Sequence, residues 1–378
     1  MRHDRYLRHS LIDWFPQDRV RAARVAVIGA GAVGNEVVKN LALLGAGAID
    51  VYDFDRVELH NLTRAVFLRE SDVGRPKASA LAARAGDMDP AVVLRAVEGD
   101  FWNTLSLSAL AGYDCAIAAV DNFEARVRLN RMCRIAGVDF VSAGIDSRHA
   151  TVEVFPFAAE ATCGCYECHL PNSAYKRIAE RYSCGGLRKA AAAERLVPTT
   201  AITASIAGAL ATSAALRLGR DAGGGARRVF FDTIAGTSSV VALDRRAECV
   251  GCGDLGDRPR IVPARADWNR RIAEVPADAA VHTSDAIIVG YECAQCGDTS
   301  RADRYVLRRA LDFDDRIAIC AACGKAGVRV DVRDEFSAAE LARLYPEAPP
   351  PVKFAIARLP DEALCMDFEE KHDGQRAR

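Results

Sequence analysis

Arg24-Val25-Ala26-Val27-Ile28-Gly29-Ala30-Gly31-Ala32-Val33-Gly34 reads as an apolar strand, a glycine turn and the start of a helix, and this stretch decides the fold. Val33, Val37, Val38, Leu41 and Leu44 give that helix one apolar stripe. A second apolar run, Ala48 to Tyr52, ends in Asp53-Phe54-Asp55, where an acid can reach a ribose hydroxyl. Gly29, Gly31 and Gly34 let backbone N–H groups approach phosphates at a helix N-terminus. Alone, this fingerprint suits a dinucleotide enzyme. The next residues do not: Asn61-Leu62-Thr63-Arg64 and then Gly74-Arg75-Pro76-Lys77 add an amide, a guanidinium and an ammonium. Hydride transfer has no evident need of them. A site that holds a triphosphate and neutralises charge during attack at phosphorus does.

Working outward, strands are expected near 24–29, 48–53, 92–97, 115–121, 139–145 and 151–156, with helices between the earlier ones. That alternation describes an α/β protein with a Rossmann-like open sheet over residues 21–254. Residues 1–20 form an amphipathic arm carrying Tyr6, Leu7, Leu11, Ile12, Trp14 and Phe15. Residues 158–200 read as a long crossover loop, 199–218 as a buried helix, and Arg228 to Leu243 as a final strand pair. Beyond Cys252 the sequence suggests a polar linker over 255–284, a zinc ribbon over 285–330, and a proline-rich, partly disordered tail over 331–378.

Composition bounds the function. The 378 residues are half hydrophobic and carry a net charge of −1, so bulk charge gives no support for a nucleic-acid partner. The start, Met1-Arg2-His3-Asp4-Arg5, has no apolar signal region and no run approaches a membrane span, so a soluble cytoplasmic protein with no membrane partner is expected. Of thirteen cysteines, eight fall in four C-x-x-C pairs, a pattern that points to metal more than to disulfides. Cys293-x-x-Cys296 and Cys320-x-x-Cys323 have the spacing of a zinc ribbon, with Gly297 and Gly324 turning the chain tightly behind each pair. Cys165-x-x-Cys168 and Cys249-x-x-Cys252 are too far apart for a local finger and share a metal only if the fold unites them. Cys115 and Cys133 read as buried apolar residues, and Cys365 sits in the polar tail. Cys163 is a spare or a reactive neighbour of the first pair. Cys184, in Arg181-Tyr182-Ser183-Cys184-Gly185-Gly186 with Arg188 and Lys189 behind it, has basic neighbours that favour a thiolate nucleophile.

The set Asp53-x-Asp55, Asn61-x-x-Arg64, Lys77 and Asp121-Asn122-x-x-x-Arg126-x-x-Leu129-Asn130 resembles the adenylation core of the ThiF/MoeB superfamily, which includes ubiquitin-activating enzymes. Arg5-Tyr6-Leu7-Arg8-His9 is similar to that family's N-terminal arm. The resemblance runs from residue 5 to 253. It implies ATP and Mg²⁺ as cofactors, with Asp53 on the ribose, Asp55, Asn61, Arg64 and Lys77 around the triphosphate, and Asp121 holding Mg²⁺ beside the α-phosphate. It implies that Arg8 reaches the ATP of a partner subunit, which makes a homodimer part of the site. It also implies that Cys165, Cys168, Cys249 and Cys252 share one structural zinc, a second Zn²⁺ besides the ribbon's. Both would be closed four-thiolate sites with no open position for catalysis.

The reaction implied is adenylation of the C-terminal carboxylate of a ubiquitin-like protein ending in glycine, then thioester formation on Cys184 and transfer to a conjugating enzyme. The family's usual sequence after that cysteine is replaced here by Gly185-Gly186-Leu187-Arg188-Lys189 and an alanine run. The runner-up is adenylation of a sulfur carrier for thiamine- or molybdopterin-type biosynthesis. From other classes stand an NAD-dependent oxidoreductase and a non-catalytic nucleotide-binding scaffold.

Overall fold

The arm enters the fold through a short helix, α1 (Gln17–Ala22), and the apolar run behind it becomes β1 (Arg24–Ile28), whose last four residues are buried. The stripe after the glycine turn becomes α2 (Ala32–Leu44), ended by Gly45 in the left-handed region at φ 77°. The computed structural model describes residues 5–175, 198–217, 224–253, 258–313 and 319–369. These residues divide into two compact units, one drawn from 5–169 and 198–253, the other including 170–175 and 258–369.

In the first unit, β2 (Ala48–Asp53), α3 (Lys77–Gly86), β3 (Val93–Glu98), α4 (Phe101–Thr104), α5 (Leu107–Leu110), β4 (Cys115–Ala118), α6 (Phe123–Ala136) and β5 (Asp139–Ile145) continue the alternation. Then come β6 (His149–Phe155), α7 (Ala201–Arg217), β7 (Arg227–Asp232) and β8 (Thr237–Ala242). Among the described residues they make an eight-stranded sheet in the order β3-β2-β1-β4-β5-β6-β7-β8. It is parallel through β5 and antiparallel from β6 onward. β4 stops at Ala118, short of the expected 121, because the chain turns there so that Asn122 can cap α6. Val25, Val27, Val37, Val38, Leu41, Ile49 and Ile117 form the centre of the core. The alanine-rich stretch is a helix as expected, and Ala204, Ala207 and Ala211 are fully buried where α7 lies close against α2. The arm is latched to this unit: buried Tyr6 gives its hydroxyl to Asp89 and packs against Gly45.

The second unit corrects the expected linker and tail, while the cysteines of the expected ribbon do come together. It comprises β9 (Arg260–Pro263), α8 (Trp268–Ala273), β10 (Ala280–Cys293), α9 (Ala302–Tyr305), β11 (Val328–Ser337), α10 (Ala338–Leu344), β12 (Phe354–Arg358) and β13 (Ala363–Asp367). Among the described residues its sheet has five strands in the order β11-β10-β12-β13-β9, closed over Trp268, Ile272, Phe336, Leu341 and Met366. So 260–284 carries a strand, a helix and the start of another strand, and 331–369 carries two more strands and a helix. The two C-x-x-C pairs of the second cluster lie at the end of β10 and in the connection to β11. Cys365 is buried in β13 rather than exposed in a tail.

Candidate active site and metal centres

The strand order of the first unit reverses between β1 and β4, so a crevice opens at their C-terminal ends, the place where open α/β sheets bind ligands. The glycine turn lies there. Gly29 has φ 104°, and a Cβ on it would stand 2.6 Å from the Ala119 carbonyl oxygen; one on Gly34 would stand 1.9 Å from the oxygen of Gly29. These two glycines let β1, β4 and α2 come together. Gly31 differs: nothing lies within 4 Å of its Cβ position. It is the N-cap of α2 and offers no side-chain cap, which leaves first-turn N–H groups for an anion.

Asp53 ends β2 and is pinned by two backbone donors, Ala30 N–H to Oδ2 at 2.6 Å and Asp55 N–H to Oδ1 at 2.7 Å. Burial pushes its carboxyl above the usual range, and those two donors and Lys77 act the other way. Lys77 opens α3 and pairs with Asp55 at 2.8 Å, while its N–H donates to the Asp55 carbonyl at 2.9 Å. Asn61 is buried, with Oδ1 accepting from the Glu58 N–H at 2.9 Å, and the half-buried Arg64 donates to the His60 carbonyl at 2.8 Å. Asp121 is exposed just beyond β4, and accepts from Asn122 Nδ2 at 3.3 Å. Arg126 holds that loop, donating to Ser142 Oγ at 2.7 Å, to the Ala143 carbonyl at 2.8 Å and to the Val120 carbonyl.

The structure thus gathers Gly29, Gly31, Gly34, Asp53, Asp55 and Lys77 around the turn, with Asp121 after the neighbouring strand. It does not bring Arg8 to its own turn. Arg8 is exposed, two residues from Tyr6, and Tyr6 is held at the far end of α2.

The first four-cysteine cluster unites the distant pairs. Cys168 lies on a 3₁₀ turn (Tyr166–His169) with Cys165 immediately before it, and Cys249 and Cys252 come after β8; all four are buried. Sulfur separations are 3.7 Å for Cys165–Cys249, 3.9 Å for Cys165–Cys168 and 3.5 Å for Cys168–Cys252. A tetrahedron with metal–sulfur bonds of about 2.3 Å has edges of about 3.8 Å, so the donor set fits zinc. The second cluster fits equally, at 3.8 Å for Cys293–Cys323 and 3.7 Å for Cys296–Cys320, but Cys296 is exposed. Cys163 is corrected as a reactive neighbour: it is buried, and burial first and Glu160 second push its thiol to about 12. Cys184 lies outside the described residues.

Glu167 and Asn35 escaped the sequence reading. Buried Glu167 is gripped by Arg131 through bonds of 2.7 Å, and buried Asn130 accepts from the Tyr166 N–H at 3.0 Å, so α6 carries the first metal knuckle. Asn35, an amide one turn inside α2, is fully buried behind the glycine turn. Its only signal was a polar residue at a position facing the core.

Residues 3–256 match the ThiF family. A SAMP-activating enzyme E1 of Haloferax volcanii is 30% identical over 263 residues, 67% of this chain and 90% of that protein. A sulfur carrier protein adenylyltransferase of Thermus thermophilus is 28% identical over 268 residues, 70% of this chain and 95% of that protein. Among solved structures, E. coli MccB with MccA-N7isoASN shares the fold at a TM-score of 0.53 and 21% identity, covering 67% of this chain and 75% of that one. The oxidoreductase reading is not supported by these relatives.

Proposed function

The chain belongs to the ThiF family and is an ATP-dependent adenylyltransferase, and from that premise we propose that its acyl substrate is the C-terminal carboxylate of a small ubiquitin-like protein. One observation carries the reading: an open helix N-terminus, an acid pinned by backbone donors and a cation–acid pair converge at the switch point of the sheet, with an exposed carboxylate after the next strand. A carboxylate oxygen of the substrate attacks the α-phosphorus of ATP, the bond to the bridging oxygen breaks, and pyrophosphate leaves. Asp53 accepts from the ribose hydroxyls. The triphosphate, with more charge than Asp55, draws Lys77 away from its 2.8 Å pair, and Arg64 and Asn61 complete the phosphate shell. Asp121 suits Mg²⁺, a hard ion that takes one or two carboxylates with phosphate oxygens; bound there, it would supply charge neutralisation at the α-phosphate. In the second half-reaction the Cys184 thiolate attacks the acyl carbon and AMP leaves, and a conjugating enzyme receives the thioester.

Arg8 serves the site from a partner subunit. The 13 residues of α2 separate the glycine turn from the Tyr6 latch by about 20 Å, too far for an arginine two residues from that latch to fold back. A homodimer supplies Arg8 in trans. Both four-cysteine clusters hold structural zinc.

ATP–pyrophosphate exchange with candidate proteins ending in Gly-Gly tests the reading, with a reductant-sensitive enzyme–substrate band as its second stage. Cys184→Ser should keep the exchange and lose the band. Exchange without any band in the wild type would transfer the assignment to sulfur-carrier adenylation, the activity for which the Thermus relative is named. No exchange with any such protein would refute the substrate class.

A further inference from the structure

Asn35 joins the two halves of the phosphate site. It is fully buried on α2, and its side-chain amide makes three hydrogen bonds to the main chain. Nδ2 donates to the carbonyl oxygens of Ala30 at 2.8 Å and Gly31 at 2.9 Å, and Oδ1 accepts the Phe67 N–H at 3.0 Å. Backbone N–H groups only donate and carbonyls only accept, so these partners fix which end of the amide is which.

The geometry has a direct consequence for phosphates. In a trans peptide, C=O and N–H point in opposite directions. Holding the carbonyls of Ala30 and Gly31 inward therefore aims the N–H groups of Gly31 and Ala32 outward, across the face where Gly31 has nothing within 4 Å. Those are the donors that a helix N-terminus presents to an anion. The other end of the amide holds Phe67, whose ring is buried in the same core as Val33 and Val37. Arg64 lies three residues before Phe67, so the amide also fixes the strap that carries this cation.

We propose that Asn35 is a positioning residue for the triphosphate: without touching the nucleotide, it aims the turn's N–H groups and locks the Arg64 strap to that turn. The inference rests on the adenylation reading above, since it assumes that this turn receives the phosphates of ATP.

The test compares a ligand that has phosphates with one that lacks them. Magnesium–ATP and adenosine are titrated calorimetrically into the full-length wild type, Asn35→Leu and Asn35→Ser. The Kd for ATP should rise roughly tenfold to hundredfold in both variants, the effect of misaiming one or two charge-assisted donors, while the Kd for adenosine moves less than about twofold. Asn35→Ser adds no volume to the core, and it carries the comparison if Asn35→Leu fails to fold. An unchanged Kd for ATP in a folded variant overturns the proposal. So do equal losses for ATP and adenosine, which would mean that Asn35 only maintains the pocket as a whole. A wild type that binds neither ligand sinks the adenylation reading itself.

Discussion

Gly31 and Gly34 sit three residues apart in one turn, and the structure predicts opposite consequences for the same substitution. At Gly34 an added Cβ would stand 1.9 Å from the Gly29 carbonyl oxygen and 2.9 Å from its carbon. Both atoms are backbone, so helix and turn must separate. Overpacking of this kind costs about 1–3 kcal/mol, and a rigid backbone neighbour places Gly34→Ala near the upper end. For a domain of this size that is a fall in Tm of about 6–12 °C. At Gly31, φ is −76° and ψ −157°, open to any residue, and the Cβ meets nothing. Alanine there gains about 0.4–1 kcal/mol from a stiffer unfolded chain and loses a comparable amount of N-cap preference, so Tm should stay within about 2 °C. Its methyl group instead projects into open space, where the proposed site would hold phosphate, and ATP affinity should then drop roughly tenfold or more through the lost charge-assisted hydrogen bond. Differential scanning calorimetry and ATP titration of both variants separate the two effects. A Gly31→Ala protein that binds ATP like the wild type, or a Gly34→Ala protein with an unchanged Tm, would refute the assignment of these glycines.

Asp121→Ala should abolish pyrophosphate exchange with little change in Tm, because its carboxylate is exposed and accepts a single long bond of 3.3 Å in its surroundings. Arg8→Ala should also be inactive, yet mixing it with Asp121→Ala should restore part of the exchange, since hybrid dimers contain one intact composite site; no recovery after subunit exchange is confirmed would place Arg8 outside the partner's site. Elemental analysis should find about two zinc ions per chain. A mild chelator should remove the ion of the cluster with exposed Cys296 first, and simultaneous release of both would contradict the difference in burial.

The first unit was legible because its chemistry and its local structure use the same residues. Gly29, Gly34 and Asp53 had to be what they are for the chain to turn, and those constraints are visible in spacing alone. Cys165 and Cys249 were legible only through the family resemblance, since nothing local says that residues 84 apart will meet. The linker and tail around the second cluster were misread for two physical reasons. β10 buries Thr283 and Asp285 on its inner face between Val281 and Ile287, the Thr283 hydroxyl being satisfied by the Asp285 carbonyl at 2.7 Å, so the apolar alternation of the strand is broken. β12 and β13 are four-residue apolar runs, each closed by a charged residue (Arg358 and Asp367), set among Pro349, Pro350, Pro351 and Pro360, and the prolines suggested a loose tail where they punctuate short buried strands. Asn35 escaped because its partners are main-chain atoms, which no side-chain motif records.

A zinc ion held where Cys165–Cys168 meets Cys249–Cys252 would make folding of the first unit a function of metal supply. The unfolded chain holds these pairs 84 residues apart and has no preformed tetrahedron, so zinc would bind the native state almost exclusively. By mass action, each tenfold fall in free zinc above the dissociation constant then removes about 1.4 kcal/mol from the stability of this unit. α7, β7 and β8 lie within the loop that such an ion would close, and α6, which is capped by Asn122 and bears Arg131 in its second half, is tied to the knuckle through Glu167. Scarcity of such a metal would therefore reach the enzyme first as a smaller folded fraction of the chain, before any change in its chemistry.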